Sequence, residues 1–503
     1  MITSSARSRN SPRSWTEYLT RPLPSRPRTW LASRHPLLDD AILRIGGAQR
    51  RRLPPWDEVI ECLSDPNRPN AVSVLHAAQR SGRPALQPRC GVGGHSAMMT
   101  LLRDIDAGGD PDILSVTIDS HTRLGHFLTA SRLASEQADQ LNGYPLVSHG
   151  WRRGRELGAA VQVPVEVRHG SPDGRDLFAT ALAAGFTSFE GGGLGYNLPY
   201  CKDVPIAESV HAWQQIDAVT AELAAIGVVL ERELFGTLTA VLTPPSLSIA
   251  VTMLEAALAV EQGVRCLSIS YPQSGEVHQD IAALRAIVTM ARHYLPDDVT
   301  VFPVLHEYMG VFPAERSAAD SLIFYGALVG RLGGAAKVVT KTRSEALGIP
   351  TSTANIDGLR LARVACSPLL DFVTIDQGRV AEEQFWIEKE VADIIEPVLD
   401  APQLKTAICA GFAAGTLDIP FSASRHAHSA VLPLRDGTGA IRYHDAGAMP
   451  FSQPVLDRQR RLLQGRRAAG SRSTVTEITA DIDFFADVMA TVDRAGPGHE
   501  ATP

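Results

Sequence analysis

Eight short segments rich in β-branched and apolar residues recur along the chain, separated by Ala- and Leu-rich stretches with helical periodicity. The segments are PALQPR (84–89), ILSVTID (113–119), VPVEVRH (163–169), GFTSFE (185–190), VVLEREL (228–234), CLSISYP (266–272), VTVFPVLH (299–306) and KVVTKT (337–342). Alternation of strands and helices indicates an α/β fold with a parallel sheet, and eight repeats predict a (β/α)8 TIM barrel. A doubly wound open sheet is disfavoured because no glycine-rich fingerprint follows the first segment.

The remaining sequence predicts appendages on both sides of this barrel. We expect a flexible Arg/Pro-rich N-terminal arm over residues 1–55, the catalytic barrel over 56–360, a C-terminal α/β extension packed on the barrel over 361–490, and a disordered tail over 491–503. The arm has little helical amphipathicity, which favours a mobile segment over a transit peptide.

Composition excludes several classes of protein. The formal net charge of −7 arises from 48 basic and 55 acidic residues, which argues against nucleic acid or an anionic membrane as a partner. No apolar run is long enough to span a membrane, and the N-terminus lacks the apolar region of a secretory signal. The six cysteines form no C-x-x-C pair, so we expect reduced thiols in a cytoplasmic protein and no metal site.

Polar residues follow nearly every predicted strand, where the catalytic face of a barrel lies. They are Arg89, Asp119 with Arg123, Arg168 with His169, Glu190, Glu233, Tyr271, His306 and Lys341. A convergence of charged and hydroxylated side chains at one end of a barrel predicts an active site there.

Three of these residues are arginines, whose forked donors match carboxylates. A single arginine in a barrel mouth usually holds a neighbouring aspartate, whereas Arg89, Arg123 and Arg168 together indicate an anionic ligand. Glu190 would complement a cation such as an α-ammonium. Two carboxylates and an ammonium describe an acidic amino acid, either glutamate or aspartate.

Two further features remain open on the residues alone. In EGGGLGYNLPY the glycines 191–193 either let a ligand approach the backbone, with Tyr196 and Tyr200 beside it, or form an ordinary glycine-rich loop with core tyrosines. Lys341 and Glu345 form either a surface ion pair, a ribose-binding pair, or a site at which the lysine makes a Schiff base.

Several motifs together resemble the large (epsilon) subunit of glutamate mutase, also called methylaspartate mutase, from about residue 55 to about residue 455. They are TIDSHTR, LNGYP, RHGSPD, EGGGLGYNLPY, FGTLTAVLTPPS, QDIAALR, KTRSEALGIPT and DIPFS. The resemblance implies a (β/α)8 barrel and an adenosylcobalamin-dependent radical isomerase that interconverts L-glutamate and (2S,3S)-3-methylaspartate. Two segments, 270–276 and 305–313, depart from the family pattern and leave cofactor affinity and fine substrate choice open.

The resemblance also implies roles for individual residues. Glu190 would act on the substrate ammonium as the catalytic residue. The implied substrate-binding residues are Arg89, Arg123, Arg168, His169, Glu190, Tyr196 and Tyr200. The implied cofactor-binding residues are Gly91, Asn142, Pro199, Phe312, Lys341, Glu345 and Ile349.

The cobalt ligand of this enzyme class comes from a D-x-H-x-x-G motif. The nearest match, DSHTRLG (119–125), has its glycine one position late and contains Arg123. We therefore expect a separate small cobalamin-binding subunit, in a heterotetramer with a homodimer of this chain. Two other interpretations remain: a cobalamin-independent barrel enzyme that uses Lys341, or a non-catalytic homologue that only binds an acidic amino acid.

Overall fold

The computed structural model describes residues 53–236, 242–346, 348–467 and 473–486. Nearly all of the predicted N-terminal arm, and the whole of the predicted tail, lie outside these described residues. So do residues 237–241 of the motif FGTLTAVLTPPS.

Eight parallel strands form one sheet in the order β1-β8-β7-β6-β5-β4-β3-β2. Their bounds are β1 Ala85–Gln87, β2 Leu114–Thr117, β3 Val165–Arg168, β4 Ser188–Glu190, β5 Glu231–Leu234, β6 Cys266–Pro272, β7 Thr300–His306 and β8 Lys337–Val339. The edges β1 and β2 meet through Ile113 N, which donates to Leu86 O, and Thr117 N, which donates to Cys90 O at 2.7 Å. The predicted TIM barrel is therefore confirmed, and each predicted segment contains one strand.

The helices of the barrel region precede β1, connect the strands and follow β8. Their bounds are α1 Trp56–Leu63, α2 Ala71–Ser81, α3 His95–Gly109, α4 Ser120–Arg123, α5 Phe127–Glu136, α6 Leu146–His149, α7 Trp151–Ala159, α8 Arg175–Ala184, α9 Ile206–Ala225, α10 Pro245–Glu261, α11 Val277–Tyr294, α12 Arg316–Gly333 and α13 Ser352–Ala365. Short 3-10 turns cover Ala138–Gln140, Arg343–Ala346 and Pro368–Leu370. No described helix is long and apolar enough to cross a membrane.

The elements after α13 cover one side of the barrel. They are α14 Gln377–Leu399, α15 Leu404–Ala414, β9 Leu432–Arg435, β10 Ile441–Asp445, α16 Gln453–Arg467 and α17 Thr474–Ile482. Helix α14 packs on α10 and α11, which explains why α10 is apolar on all sides and almost wholly buried. Glu390 of α14 accepts a hydrogen bond from Ser246 Oγ of α10 at 2.6 Å.

The interior of the barrel is polar, whereas branched aliphatic side chains usually fill it. The fully buried interior residues are Gln87, Glu166, Arg168, Glu231, Glu233, Ser268, Ser270, His306 and Lys337. Because inward positions alternate along a strand, residues two apart share this face. On each of β3, β5 and β6, two of these polar residues lie two positions apart. One of the two therefore lies deep in the barrel, and the other lies near its carboxyl end.

Candidate active site

Lys337 anchors the deep part of the interior. Its ammonium lies 2.6 Å from Glu166 Oε2, 3.0 Å from Glu231 Oε1 and 2.6 Å from Glu233 Oε2. Burial opposes the charge on the lysine, but the three carboxylates raise its pKa above the usual range. Burial and the nearby Glu233 also raise the pKa of Glu166 well above its usual value, although Lys337 and Arg168 oppose the rise.

Arg168 joins this deep layer to the mouth of the barrel. It is only 2% exposed, and Nη1 donates to Gln87 Oε1 at 2.8 Å while Nη2 lies 3.0 Å from Glu190 Oε2. His306 lies 3.2 Å from Nη2, and burial lowers the pKa of its imidazole to about 3. Most donors of Arg168 are thus already engaged by the protein, and its buried Nε lacks a hydrogen-bond partner.

Three carboxylates, those of Glu166, Glu190 and Glu233, converge within 4.8 Å, a spacing that suits a metal ion. The cations of Arg168 and Lys337 lie against the same carboxylates. Positive charge is therefore already present at this point from the chain's own side chains.

Glu190 ends β4 and is fully buried. Its Oε1 accepts from the Tyr196 hydroxyl at 2.6 Å, and its Oε2 accepts from His169 N at 3.1 Å. Burial raises the pKa of this carboxyl above its usual value, although Arg168 opposes the rise. A desolvated carboxyl held by several donors is suited to meeting a substrate cation.

The mouth of the barrel carries donors that the protein does not use. Arg89 follows β1 and its Nη2 lies 3.1 Å from His169 Nε2. Arg123 ends α4, and within the described residues no carboxylate pairs with it. The buried Nε of Arg123 lacks a hydrogen-bond partner. Such donors fit an anion that is not part of the chain.

His169 completes this group with a defined tautomer. Burial, Arg89 and Arg123 hold the pKa of its imidazole well below the usual value, so the ring is neutral. Because an arginine can only donate, Nε2 accepts from Arg89 and the proton lies on Nδ1. The Nδ1 atom is buried without a partner, which leaves one more donor for a ligand.

Tyr196 and Tyr200 form an aromatic wall beside Glu190. Their ring centroids are 5.6 Å apart, and Tyr196 lies 5.1 Å from Phe235. Tyr196 is 1% exposed, whereas Tyr200 is 41% exposed. Burial of its hydroxyl, followed by the charge of Glu190, raises the pKa of Tyr200 to about 12.

The neighbours of the three glycines are protein atoms. A Cβ at Gly191 would lie 2.1 Å from the Trp213 ring, and one at Gly192 would lie 2.2 Å from the Glu255 carboxyl. A Cβ at Gly193 would meet the backbone of α9 at 2.9 Å. The glycines therefore serve close packing of the chain against itself, rather than the ligand approach that their sequence also allowed.

Lys341 and Glu345 lie on the opposite side of the mouth. Lys341 Nζ donates to Glu345 Oε2 at 2.6 Å, and Arg89 Nη1 lies 3.6 Å from the same oxygen. Burial lowers the pKa of Lys341 to about 8. Glu307, which sequence reasoning missed, accepts from Lys341 N at 2.6 Å and fixes the backbone there.

The other residues of the implied cofactor set lie around this mouth in varied settings. A Cβ at Gly91 would lie 2.7 Å from Thr117 Cβ, so the chain leaving β1 needs a glycine to pass β2. Asn142 is exposed and accepts from Ser120 N at 2.9 Å, at the start of the helix that carries Arg123. Pro199 is half-buried, Ile349 is 46% exposed, and Phe312 packs inside an apolar cluster.

Two residues expected on the functional face have structural roles instead. Asp119 caps α4 by accepting from His121 N and Thr122 N at 2.9 and 3.0 Å. Tyr271 donates to Asp280 of α11 at 2.8 Å, away from the mouth. The deep residues Glu166, Glu231 and Lys337 were also missed, although the period-two spacing of Glu166 with Arg168 and of Glu231 with Glu233 carried a signal for those two.

Comparison with known proteins places the chain in a family. The family model described as methylaspartate mutase E chain (MutE) matches residues 66–491. The glutamate mutase epsilon subunit of Desulfitobacterium hafniense is 38% identical over 84% of this chain and 89% of its own length. The epsilon subunits of Haloarcula marismortui and Escherichia coli O157:H7 are 37% and 35% identical, over 83% and 82% of this chain and 87% of each relative.

Among solved structures, dihydrodipicolinate synthase from Agrobacterium tumefaciens aligns with 77% of this chain and 99% of its own, with a TM-score of 0.31 and 12% identity. That likeness is too distant to support an argument, so the strand order above defines the barrel. On the family match and the identities, the chain belongs to the glutamate mutase epsilon subunits, the catalytic large subunits of isomerases that interconvert glutamate and methylaspartate.

Proposed function

We propose that the mouth of this barrel binds L-glutamate and supports its radical rearrangement to (2S,3S)-3-methylaspartate. One observation carries the proposal: Arg123 Nε, Arg168 Nε and His169 Nδ1 are buried donors without a partner, and they lie near Glu190, which is buried and hydrogen-bonded. This arrangement offers separate places for the carboxylates and for the ammonium of an acidic amino acid.

On the anionic side, Arg123 and Arg89 bind the carboxylates of the substrate with their guanidinium groups. His169 adds its Nδ1–H, which has no other acceptor. The buried Nε of Arg168 supplies a further donor from the interior. Charge-assisted hydrogen bonds of this kind fix a substrate in both position and register.

For the ammonium of the substrate, Glu190 accepts a hydrogen bond from it and exchanges a proton with it. Its raised pKa favours such an exchange, since the carboxyl is more basic than a solvated one. Tyr196 holds Glu190 in place, and Tyr200 lines the pocket at its exposed edge. These aromatic rings also keep water away from a reactive intermediate.

The residues on the Lys341–Glu345 side of the mouth suit adenosylcobalamin. A ribose binds through hydroxyls that both donate and accept, and the Lys341–Glu345 pair offers both functions at the mouth. Gly91, Asn142, Pro199, Phe312 and Ile349 complete the proposed cofactor side. Adenosylcobalamin, when bound, supplies the radical that begins the rearrangement.

As an epsilon subunit, the chain is one part of a multisubunit enzyme. We propose that a small cobalamin-binding subunit supplies the cobalt ligand, in a heterotetramer containing two copies of this chain. All six cysteines are free thiols, which supports a cytoplasmic location.

Anaerobic electron paramagnetic resonance tests this proposal. The chain would be mixed with the small subunit, adenosylcobalamin and L-glutamate, with omission of glutamate as the control. We expect a glutamate-dependent signal from an organic radical near cobalt. Silence with both glutamate and methylaspartate would contradict the proposal, and borohydride trapping of a substrate on Lys341 would instead support cobalamin-independent chemistry.

A further inference from the structure

The C-terminal extension reaches back to the loop that carries the two tyrosines. We name residues 418–431 the clasp. Ser422 Oγ donates to Leu198 O at 2.6 Å, and Ser424 N donates to the same carbonyl at 3.3 Å. Arg425 N donates to Lys202 O at 3.0 Å. These bonds join parts of the chain that are more than two hundred residues apart in sequence.

The clasp itself is held firmly. The Asp418 carboxylate is buried and accepts from Ser429 N, Ala430 N and Val431 N at 2.8, 2.6 and 3.2 Å. Phe421 and Ser429 adopt left-handed φ angles of 56° and 51°, which side chains other than glycine rarely adopt. A strained backbone of this kind persists only where its surroundings fix it.

The loop itself is mostly buried, and of residues 191–203 only Tyr200, Lys202 and Asp203 are exposed. Asn197 is fully buried and its amide donates to Val204 O and Ser209 Oγ at 2.9 and 2.8 Å. Leu198 follows it, and this residue lies two positions after Tyr196 and two before Tyr200. A change at the Leu198 carbonyl would therefore shift both tyrosines.

We propose that Ser422 and Ser424 are positioning residues for the reaction, and that the clasp sets where Tyr196 and Tyr200 stand at the barrel mouth. The C-terminal extension thus belongs to the active site without touching the substrate. This inference rests on the proposed function, because it takes the two tyrosines to line the substrate pocket.

The test compares three variants with the parent chain. Ser422→Ala/Ser424→Ala removes both hydroxyls, including the Ser424 Oγ that donates to Asn197 Oδ1 at 3.5 Å. Ser422→Thr keeps a hydroxyl at position 422 and leaves Ser424 unchanged. Ser452→Ala is the matched control, because Ser452 Oγ donates to Asp393 at 2.7 Å elsewhere in the same extension. Hydrogen–deuterium exchange on the chain alone reports the loop, and kcat/KM for L-glutamate is measured with the assembled holoenzyme.

We expect the double variant to exchange faster over residues 196–203 and to lose about fivefold in kcat/KM, since a hydrogen bond is worth about 1 kcal/mol. Ser422→Thr and Ser452→Ala should resemble the parent in both measurements. Unchanged exchange in the double variant would overturn the inference whatever the activity. Faster exchange with unchanged kcat/KM would also overturn it, because the loop position would then not matter.

Discussion

The interior of the barrel and its mouth both contain arginine near carboxylates, yet they differ in what the protein leaves unpaired. Inside, Arg168 and Lys337 contact Glu166 and Glu233 at distances of 2.6 to 3.3 Å. At the mouth, Arg123 has no carboxylate partner among the residues that the structure describes. The interior charges stabilise one another, whereas Arg123 at the mouth lacks the negative partner that a ligand would bring.

This contrast distinguishes buried charges that are paired within the protein from buried donors that have no partner in it. Buried ion pairs are often neutral in energy when complete, but costly when one partner is removed. Unpaired buried donors are rare unless a ligand or water satisfies them. Substitutions in the interior should therefore act on folding, and substitutions at the mouth should act on turnover and binding.

The largest effect should come from Lys337→Met, because it leaves three buried carboxylates without their shared cation. We expect a loss of about 3–5 kcal/mol in the free energy of unfolding, measured by urea denaturation. The control is Lys389→Met, whose ammonium lies 3.7 Å from Asp393 at the surface. A similar small loss in both variants would show that the interior network is not an ion-paired unit.

Glu190→Gln should leave folding nearly intact and reduce kcat by roughly 10²–10³-fold, since an amide cannot exchange a proton with the substrate ammonium. Steady-state kinetics with the assembled enzyme measures this effect. Glu58→Gln, which removes a partly exposed carboxylate paired with Arg155, should retain the parental kcat. Parental turnover in Glu190→Gln would remove this residue from the mechanism.

Arg123→Lys should reduce kcat/KM for L-glutamate by about 10–100-fold, because a point charge replaces a forked donor. The matched control is Arg265→Lys. Arg265 directly precedes β6, at the other end of the barrel, and its guanidinium pairs with Asp298. Urea denaturation should show equal stability for the two variants. An equal loss of kcat/KM in both would argue against a carboxylate at Arg123.

The smallest effect concerns pH. The pKa of Lys341 is lowered to about 8, so its ammonium is present below that pH and is lost as the pH rises through it. We expect KM for adenosylcobalamin to rise a few-fold between pH 7 and pH 9. Lys341→Arg keeps its charge over this range and should show a flat KM. A parallel rise in both would assign the titration to another group.

Much of the fold was predictable because each strand has a strong local signal. All eight segments contain a strand, and Arg89, Glu190 and Lys341 do lie at carboxyl ends. The sequence could not separate Tyr271 from this group, since its partner Asp280 lies on the following helix. Nor could it pair Ser422 with Leu198, because nothing local records a contact across 224 residues.

The three glycines have a consequence for altering this enzyme. Their missing side chains are replaced by Trp213, Glu255 and the backbone of α9, so larger residues at 191–193 would displace parts of the barrel wall. Attempts to accept a bulkier substrate should leave this triplet alone. Tyr200, 41% exposed at the same rim, is the position where volume can be removed without disturbing the core.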